Sequence, residues 1–179
     1  AYATSAQVGS IIYIFGGKDG PLNQDRMKSC EKLDTRKSPM NWERIAPMED
    51  GKADAGAAVV DGKVMVVGGF SGNKFLSSVE IYNPSTNTWQ RGPSLQAPRS
   101  GMGLAVLDGV VYIAGGIRGT GRLRSVERLL PGAKRCFNLH IIIVYLSNDS
   151  VNYCCAHCVF CCPKTLIMFK VDEGGQHGH

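Results

Sequence analysis

The feature that most constrains this chain is a set of landmarks returning at one spacing. Asp61-Gly62 returns 47 residues later as Asp108-Gly109, Gly68-Gly69 as Gly115-Gly116, Ser78-Val79-Glu80 as Ser125-Val126-Glu127 and Pro84 as Pro131. Trp42 and Trp89 share that offset, while an earlier doublet, Gly16-Gly17, precedes Gly68-Gly69 by 52 because the stretch between it and Trp42 is longer. Self-similarity at such a period marks stacked supersecondary units, none of which can bury its apolar surface alone.

Within each copy the strand pattern is legible. Residues 57–60, Asp61-Gly62 and residues 63–67 are two apolar runs around an Asp-Gly pair, which suits a hairpin with a type I′ turn. Residues 104–107, Asp108-Gly109 and 110–114 repeat it, and the first copy carries Gly9-Ser10, which suits type II′. The runs Val64-Met65-Val66-Val67 and Val111-Tyr112-Ile113-Ala114 are continuous rather than alternating, so both faces of these strands should be buried. Residues 78–83 read as a third strand, Pro84-Ser85-Thr86-Asn87 as a turn, and a fourth strand starts at Trp89. Four strands in about 47 residues describe one propeller blade. The fold class is all-β, with about two and a half to three four-stranded blades: repeats at about 1–50, 51–97 and 98–135.

The Gly doublet, the segment Ser78-Val79-Glu80-Ile81-Tyr82-Asn83-Pro84 and Trp89 together resemble the kelch repeat. Ala46-Pro47-Met48 after Trp42, and Pro98-Arg99-Ser100 before the next repeat, are most similar to BTB-kelch substrate adaptors. The resemblance implies a partial kelch β-propeller that binds a protein partner with the loops at one end. It also implies recruitment to a cullin-RING ubiquitin ligase, through a BTB region that would lie upstream of this chain. An actin-binding or scaffolding kelch protein is the alternative.

By that resemblance the partner face is carried by the residue after each Gly doublet, the residue five further on, and the residue after the Arg that precedes a first strand. These are Phe70 and Phe75, Ile117 and Arg122, and Ser100 after Arg99. Ala53 after Lys52 departs from the pattern, and Lys18 follows Gly16-Gly17 in a longer loop whose second position has no match. A Phe pair beside an Arg suits a peptide combining an apolar anchor with a carboxylate. Gly16, Gly17, Gly68, Gly69, Gly115 and Gly116 are expected to let backbones approach closely, and Trp42, Trp89, Tyr82 and Tyr112 to pack between blades.

Other function classes fit poorly. Galactose oxidase also uses kelch-type blades, but its copper chemistry needs Tyr and His ligands, and all four histidines here (His140, His157, His177 and His179) lie beyond the repeats. No Ser/His/Asp set, phosphate-binding Gly loop or carboxylate pair stands out, so the chain reads as a non-enzyme without cofactor. The net charge of +5 is not gathered into a nucleic-acid stripe: its densest cluster, Arg118, Arg122, Arg124 and Arg128, has no interleaved aromatics. Cys30 is the only cysteine of the repeats, which suits a reducing, cytoplasmic location.

The pattern breaks in mid-blade, where Cys136 stands at the expected Trp position and residues 136–179 form a Cys-rich hydrophobic tail. Its apolar run from Leu139 is broken by His140 and stops at Ser147-Asn148-Asp149, short of the roughly 18 residues a membrane span needs. Cys155, Cys158 and Cys161 are spaced like metal ligands, with Cys162 and His157 beside them. Thr165 nevertheless stands where an iron–sulfur run needs a fourth ligand, and a zinc site would want a second Cys cluster. The tail therefore reads as an unstructured, translated intron or shifted frame joined to a repeat domain. Ala1 already lies inside an apparent strand, so segments upstream are expected to be missing. Blades that cannot close a ring leave two faces uncovered, and the chain alone is expected to be poorly soluble or dynamic.

Overall fold

A computed structural model describes residues 1–20 and 26–130 in full and, as backbone strands only, residues 137–139, 145–147 and 150–152. Three four-stranded antiparallel sheets follow one another along the chain. The first blade holds β1 (Thr4–Val8), β2 (Ile11–Phe15), β3 (Cys30–Asp34) and β4 (Trp42–Ile45). The second holds β5 (Gly56–Val60), β6 (Lys63–Val67), β7 (Val79–Asn83) and β8 (Thr88–Arg91). The third is built from β9 (Gly103–Leu107), β10 (Val110–Ala114), β13 (Val126–Leu129) and β14 (Phe137–Leu139). Strands pair in sequence order in each sheet, the meander expected of a blade.

The hairpin turns follow the sequence chemistry. Asp61 and Gly62 have φ of 50° and 70°, and Asp108 and Gly109 have 50° and 73°, the two positive values of a type I′ turn. In the first blade's hairpin turn, Gly9 is positive, at 59°, and Ser10 is not, as type II′ requires. The register then follows: Val60 faces Lys63 and Leu107 faces Val110.

β6 is covered on both sides, which explains its unbroken apolar run. Val64 and Val66 join Tyr13, Phe15 and Tyr82 in the core between the first and second blades. Met65 and Val67 join Val111, Ile113 and Leu129 in the core between the second and third. Tyr82 packs against Tyr13 at 5.7 Å between ring centroids, and Trp89 meets Phe15 edge-on at 5.6 Å while its indole N–H donates to the Ala46 carbonyl (2.8 Å). Trp42 departs from its expected role: it is 46% exposed, because it lies on the side of the first blade that no described blade covers. Tyr112 is likewise only half-buried, on the outer side of the third blade.

The third blade is more complete than its sequence suggests. The repeat pattern ends at about residue 135, yet Phe137–Leu139 pairs with Val126–Arg128 as a fourth strand. Backbone pairing needs no Trp, so loss of the landmark at Cys136 does not abolish the strand. Two short strands, β15 (Tyr145–Ser147) and β16 (Ser150–Asn152), form a separate hairpin. The remaining two strands, β11 (Ile117–Arg118) and β12 (Gly121–Arg122), make a small ladder after Gly115-Gly116.

Each Gly doublet is where backbones cross. Gly17 and Gly69 donate to the carbonyls of Lys52 and Arg99, the residues that carry the chain from one blade to the next (both 2.8 Å). A Cβ on Gly16 would strike the Lys52 carbonyl oxygen, and one on Gly68 would lie 2.5 Å from that of Arg99. A Cβ on the second glycine would meet the blade's own incoming segment instead: Ala1 O at 3.0 Å from Gly17, Ala53 O at 2.9 Å from Gly69 and Ser100 O at 2.7 Å from Gly116. In the first two blades the doublet is required by two approaching chains, one per glycine, whereas in the third only Gly116 is crowded.

Lys52 and Arg99 complete the junction with their side chains, both wholly buried. While the Arg99 backbone bonds to the second blade, its guanidinium reaches the third. It donates to Glu127 (2.6 Å), to the Ser125 hydroxyl (3.0 Å) and to the Gly115 carbonyl (2.9 Å). Glu127 also accepts the backbone N–H groups of Gln96 (2.8 Å) and Ala97 (3.2 Å). Lys52 does the same one blade earlier, with Glu80 at 3.0 Å and the Ser78 hydroxyl at 3.2 Å, and Glu80 accepts from Glu49 and Asp50. The repeated Ser-Val-Glu is thus the receptor for the basic residue entering the blade.

Two stability measurements follow. Gly68→Ala should lower unfolding stability by about 3 kcal/mol, from a left-handed φ plus a clash with fixed backbone, and Gly115→Ala by only about 1–2 kcal/mol, since the nearest atom to its Cβ is Leu123 O at 3.5 Å. Urea titration of both variants checks the order; equal losses would contradict it. Glu127→Ala strands a buried guanidinium and should cost about 3–5 kcal/mol, whereas Glu43→Ala, at a solvent-screened surface pair, should leave the urea midpoint nearly unchanged.

Candidate partner-binding rim

The residues selected by the resemblance come together as cross-strand neighbours. Phe70 pairs with Ala53 on one side and with Phe75 on the other. Ala53 and Phe70 exchange backbone hydrogen bonds of 3.0 and 2.8 Å. In the third blade Ser100 and Ile117 exchange bonds of 3.1 and 2.9 Å, and Ile117 pairs with Arg122. The doublet, the residue after it and the residue five further on thus form one small ladder that lies against the incoming segment of its own blade.

The first blade contains the same ladder, with one member that its sequence hides. Lys18 donates to the Ala1 carbonyl (2.7 Å), the Ala1 amino group donates to the Lys18 carbonyl (2.8 Å), and Lys18 pairs with Arg26. Arg26 therefore occupies the place of Phe75 and Arg122. A spacing rule of five residues misses it because this loop is longer, and only the pairing reveals the match. Its guanidinium carbon lies 5.4 Å from the centre of the Phe70 ring, so adjacent blades touch at the rim through a cation–π contact.

The expected rim residues are not equally available. Arg122 is exposed and Ile117 is 44% exposed. Phe70 and Phe75 are half-buried and tilt against each other at 5.0 Å between centroids, each presenting part of a ring. Ser100 is 2% exposed: its backbone is tied to Ile117 and follows the locked Arg99, so its side chain lies beneath the rim rather than on it. The accessible surface thus combines aromatic and aliphatic area with the cations Lys18, Arg26 and Arg122.

Burial pushes the Cys30 thiol up to about 11 and the Tyr82 phenol up to about 12, so both stay protonated at neutral pH and neither supplies a nucleophile. A cleft of about 310 Å³ between the first two blades is lined by Tyr13, Lys32, Glu43, Tyr82 and Asn87. Four of these five already have partners: Tyr82 donates to Asn87 (2.9 Å), which also accepts from Ala46 N–H (2.9 Å), and Glu43 pairs with Lys32 and Lys37. Among the described residues no three His, Cys, Asp or Glu side chains are placed to hold a metal ion, and no helix is long and apolar enough to cross a membrane. The cysteines Cys155, Cys158, Cys161 and Cys162 and all four histidines lie outside the described residues.

Comparison with known proteins agrees with this architecture. An F-box/kelch-repeat protein of Arabidopsis thaliana is 36% identical over 90 residues, covering 49% of this chain and 24% of the relative. A Kelch repeat and BTB domain-containing protein of Caenorhabditis elegans is 30% identical over 88 residues, covering 46% of this chain and 14% of the relative. The chain therefore spans less than a quarter of the length of either. The solved structure of YjhT superposes with a TM-score of 0.65 at 20% identity, over 76% of this chain and 50% of that one, which bears on the fold alone. The Kelch motif matches residues 1–49, 51–96 and 98–136, the three blades just described, and the chain belongs to the kelch-repeat family.

Proposed function

We propose that this chain is the substrate-recognition part of a BTB-kelch adaptor for a cytoplasmic cullin-RING ubiquitin ligase, and that its rim takes a peptide with an apolar anchor and a carboxylate. The observation that carries this reading is the recurrence of one ladder in three successive blades, each holding two variable positions on a conserved backbone frame: Lys18 and Arg26, Phe70 and Phe75, Ile117 and Arg122. A frame that stays constant while its outward residues change suits recognition, because a rigid scaffold can present loop residues without being remade. Protein interaction is the property kelch repeats share. The ligase connection draws on the BTB domain named in one relative, and cullin would be engaged only through such a region.

A second reading is favoured by the F-box/kelch-repeat relative: the same rim beside an F-box in place of a BTB region. An actin-binding role would use the blades as a scaffold, and co-sedimentation with filamentous actin separates it from peptide recognition.

The rim is tested by selecting binders from a displayed peptide library and measuring their dissociation constants. Arg122→Ala should weaken the selected peptides about tenfold or more, the worth of a charge-assisted hydrogen bond, with the unfolding midpoint unchanged. Phe75→Ala should weaken them too, and because it removes the pairing with Phe70 it should also cost about 0.5–1.5 kcal/mol of stability. Peptides that bind equally well to both variants would place recognition elsewhere.

A further inference from the structure

The cleft of about 310 Å³ between the first two blades lies toward the end of the blades opposite the rim. Ile11, which opens β2, and Asn87, in the turn after β7, both line it, whereas Gly16 follows the far end of β2. The groups in this cleft that have bonds to spare are donors. Tyr13 is 2% exposed, and among the described residues its hydroxyl has no hydrogen-bond partner. Burial, and after it the charge of Asp34, raises its phenol above the ordinary value, so the hydroxyl keeps its proton at neutral pH. The Asn87 oxygen accepts from both Ala46 N–H and Tyr82 O–H, which leaves the two N–H groups of its amide (both bonds 2.9 Å). Lys32 meets Glu43 at 3.5 Å, a long contact, and Glu43 is held more closely by Lys37.

A cleft of about 260 Å³ recurs at the same place between the second and third blades, without this chemistry. In the first blade Tyr13 pairs with Ala6 and Lys32, and Lys32 with Glu43. One blade later Met65 pairs with Ala58 and Ile81, and Ile81 with Gln90. The same cross-strand row is therefore phenol, ammonium and carboxylate in one cleft, and thioether, aliphatic and amide in the other. Across the gap, Leu129 stands where Tyr82 does, since Leu129 pairs with Val111 as Tyr82 pairs with Val64. Packing between blades thus asks for neither the Tyr13 hydroxyl nor the Lys32 charge, and both are found on the first cleft.

We propose that the cleft between the first two blades binds the carboxylate of a small organic monoanion, with the Tyr13 hydroxyl and the Lys32 ammonium donating to its two oxygens. The cleft lies at the lower end of the range of about 300–1,000 Å³ for ligand pockets, so the ligand has few atoms. Ile11, Ile45 and Pro84 give its organic part apolar walls. Charge selects a monoanion: Lys32 supplies one positive charge with Glu43 beside it, so the second negative charge of a phosphate is opposed. Asp34 is held by Arg36 through hydrogen bonds of 3.1 and 3.2 Å. Arg44 borders the cleft, but it follows Glu43 along β4 and so projects from the opposite face of the sheet. The site is separate from the rim and stands whether or not the rim binds a peptide.

Titration of the full chain with benzoate and with butyrate, followed by the nuclear magnetic resonance signals of its backbone amides, tests the site. Benzamide serves as the neutral counterpart of benzoate, and inorganic phosphate as the competing anion. Both carboxylates should shift the signals of residues 11–13 and 85–87 to saturation, with a dissociation constant of about a millimolar. Benzamide and phosphate should bind about tenfold or more weakly. Tyr13→Phe removes only a hydroxyl that the protein itself leaves unbonded, so it should weaken both carboxylates about tenfold or more while the urea midpoint stays unchanged. Lys32→Met should weaken them by a similar factor. Failure of both carboxylates to bind, equal binding of benzamide or phosphate, or shifts gathered at rim residues 117–122 would overturn the proposal. So would an affinity indifferent to Tyr13→Phe, or a Tyr13→Phe chain of lower stability, which would show the hydroxyl bonded within the protein.

Discussion

Everything in this structure depends on three lengths of backbone meeting at the Gly doublets of the first two blades. The strand that ends there, the segment entering the same blade and the segment leaving for the next all come close together, which leaves too little room for a Cβ on Gly16, Gly17, Gly68 or Gly69. The crossing sets where Lys52 and Arg99 stand, and so aims their side chains at Glu80 and Glu127 of the following blade. A buried ion pair is weak evidence of net stabilisation, but removing one partner is costly, so such a pair penalises any misplacement of one blade on the next. Apolar packing supplies the adhesion between blades, and the crossing with its ion pair supplies the register.

That division of labour explains how recognition and folding are separated. The residue after each doublet is held by two backbone bonds to the incoming segment, whatever its side chain is: Lys18, Phe70 and Ile117 occupy it in turn. A cation, an aromatic ring and a branched aliphatic group are equally compatible with the frame. Chemistry at the rim can therefore differ from blade to blade while the six doublet glycines and the Ser-Val-Glu receptor recur beneath it. Arg26 over Phe70 shows the reverse link, in which neighbouring rim side chains organise each other.

Most of the fold was legible because its causes are local or periodic. Asp61-Gly62 and Asp108-Gly109 dictate their turns, the unbroken run 64–67 announces a strand covered on both faces, and the 47-residue offset counts the blades. What escaped depends on contacts between distant residues. Nothing in the spacing tells that Trp42 is exposed while Trp89 is covered, because exposure depends on what packs against the blade, and no described blade covers Trp42. Ser100 matches a rim motif yet is buried by its own pairing with Ile117. Arg26 was hidden by a longer loop, and Phe137–Leu139 by the loss of a side-chain landmark that a backbone ladder does not need. The roles of Lys52 and Arg99 had a signal, a basic residue before each first strand and a Glu in each third strand, but the pair becomes visible only when the two are brought together.

The central claim is that blades are joined through the backbone crossings at the Gly doublets, and native-state hydrogen exchange of single amides tests it most directly. The N–H groups of Gly17 and Gly69, which donate to Lys52 and Arg99, and those of Asp54 and Gly101, which donate from one blade to the one before, should exchange only through global unfolding. Their opening free energies would then fall with added urea as steeply as those of the β6 amides. Opening of these four amides at low free energy, independent of urea, while β6 stays protected would show blades that move independently, and would contradict the account.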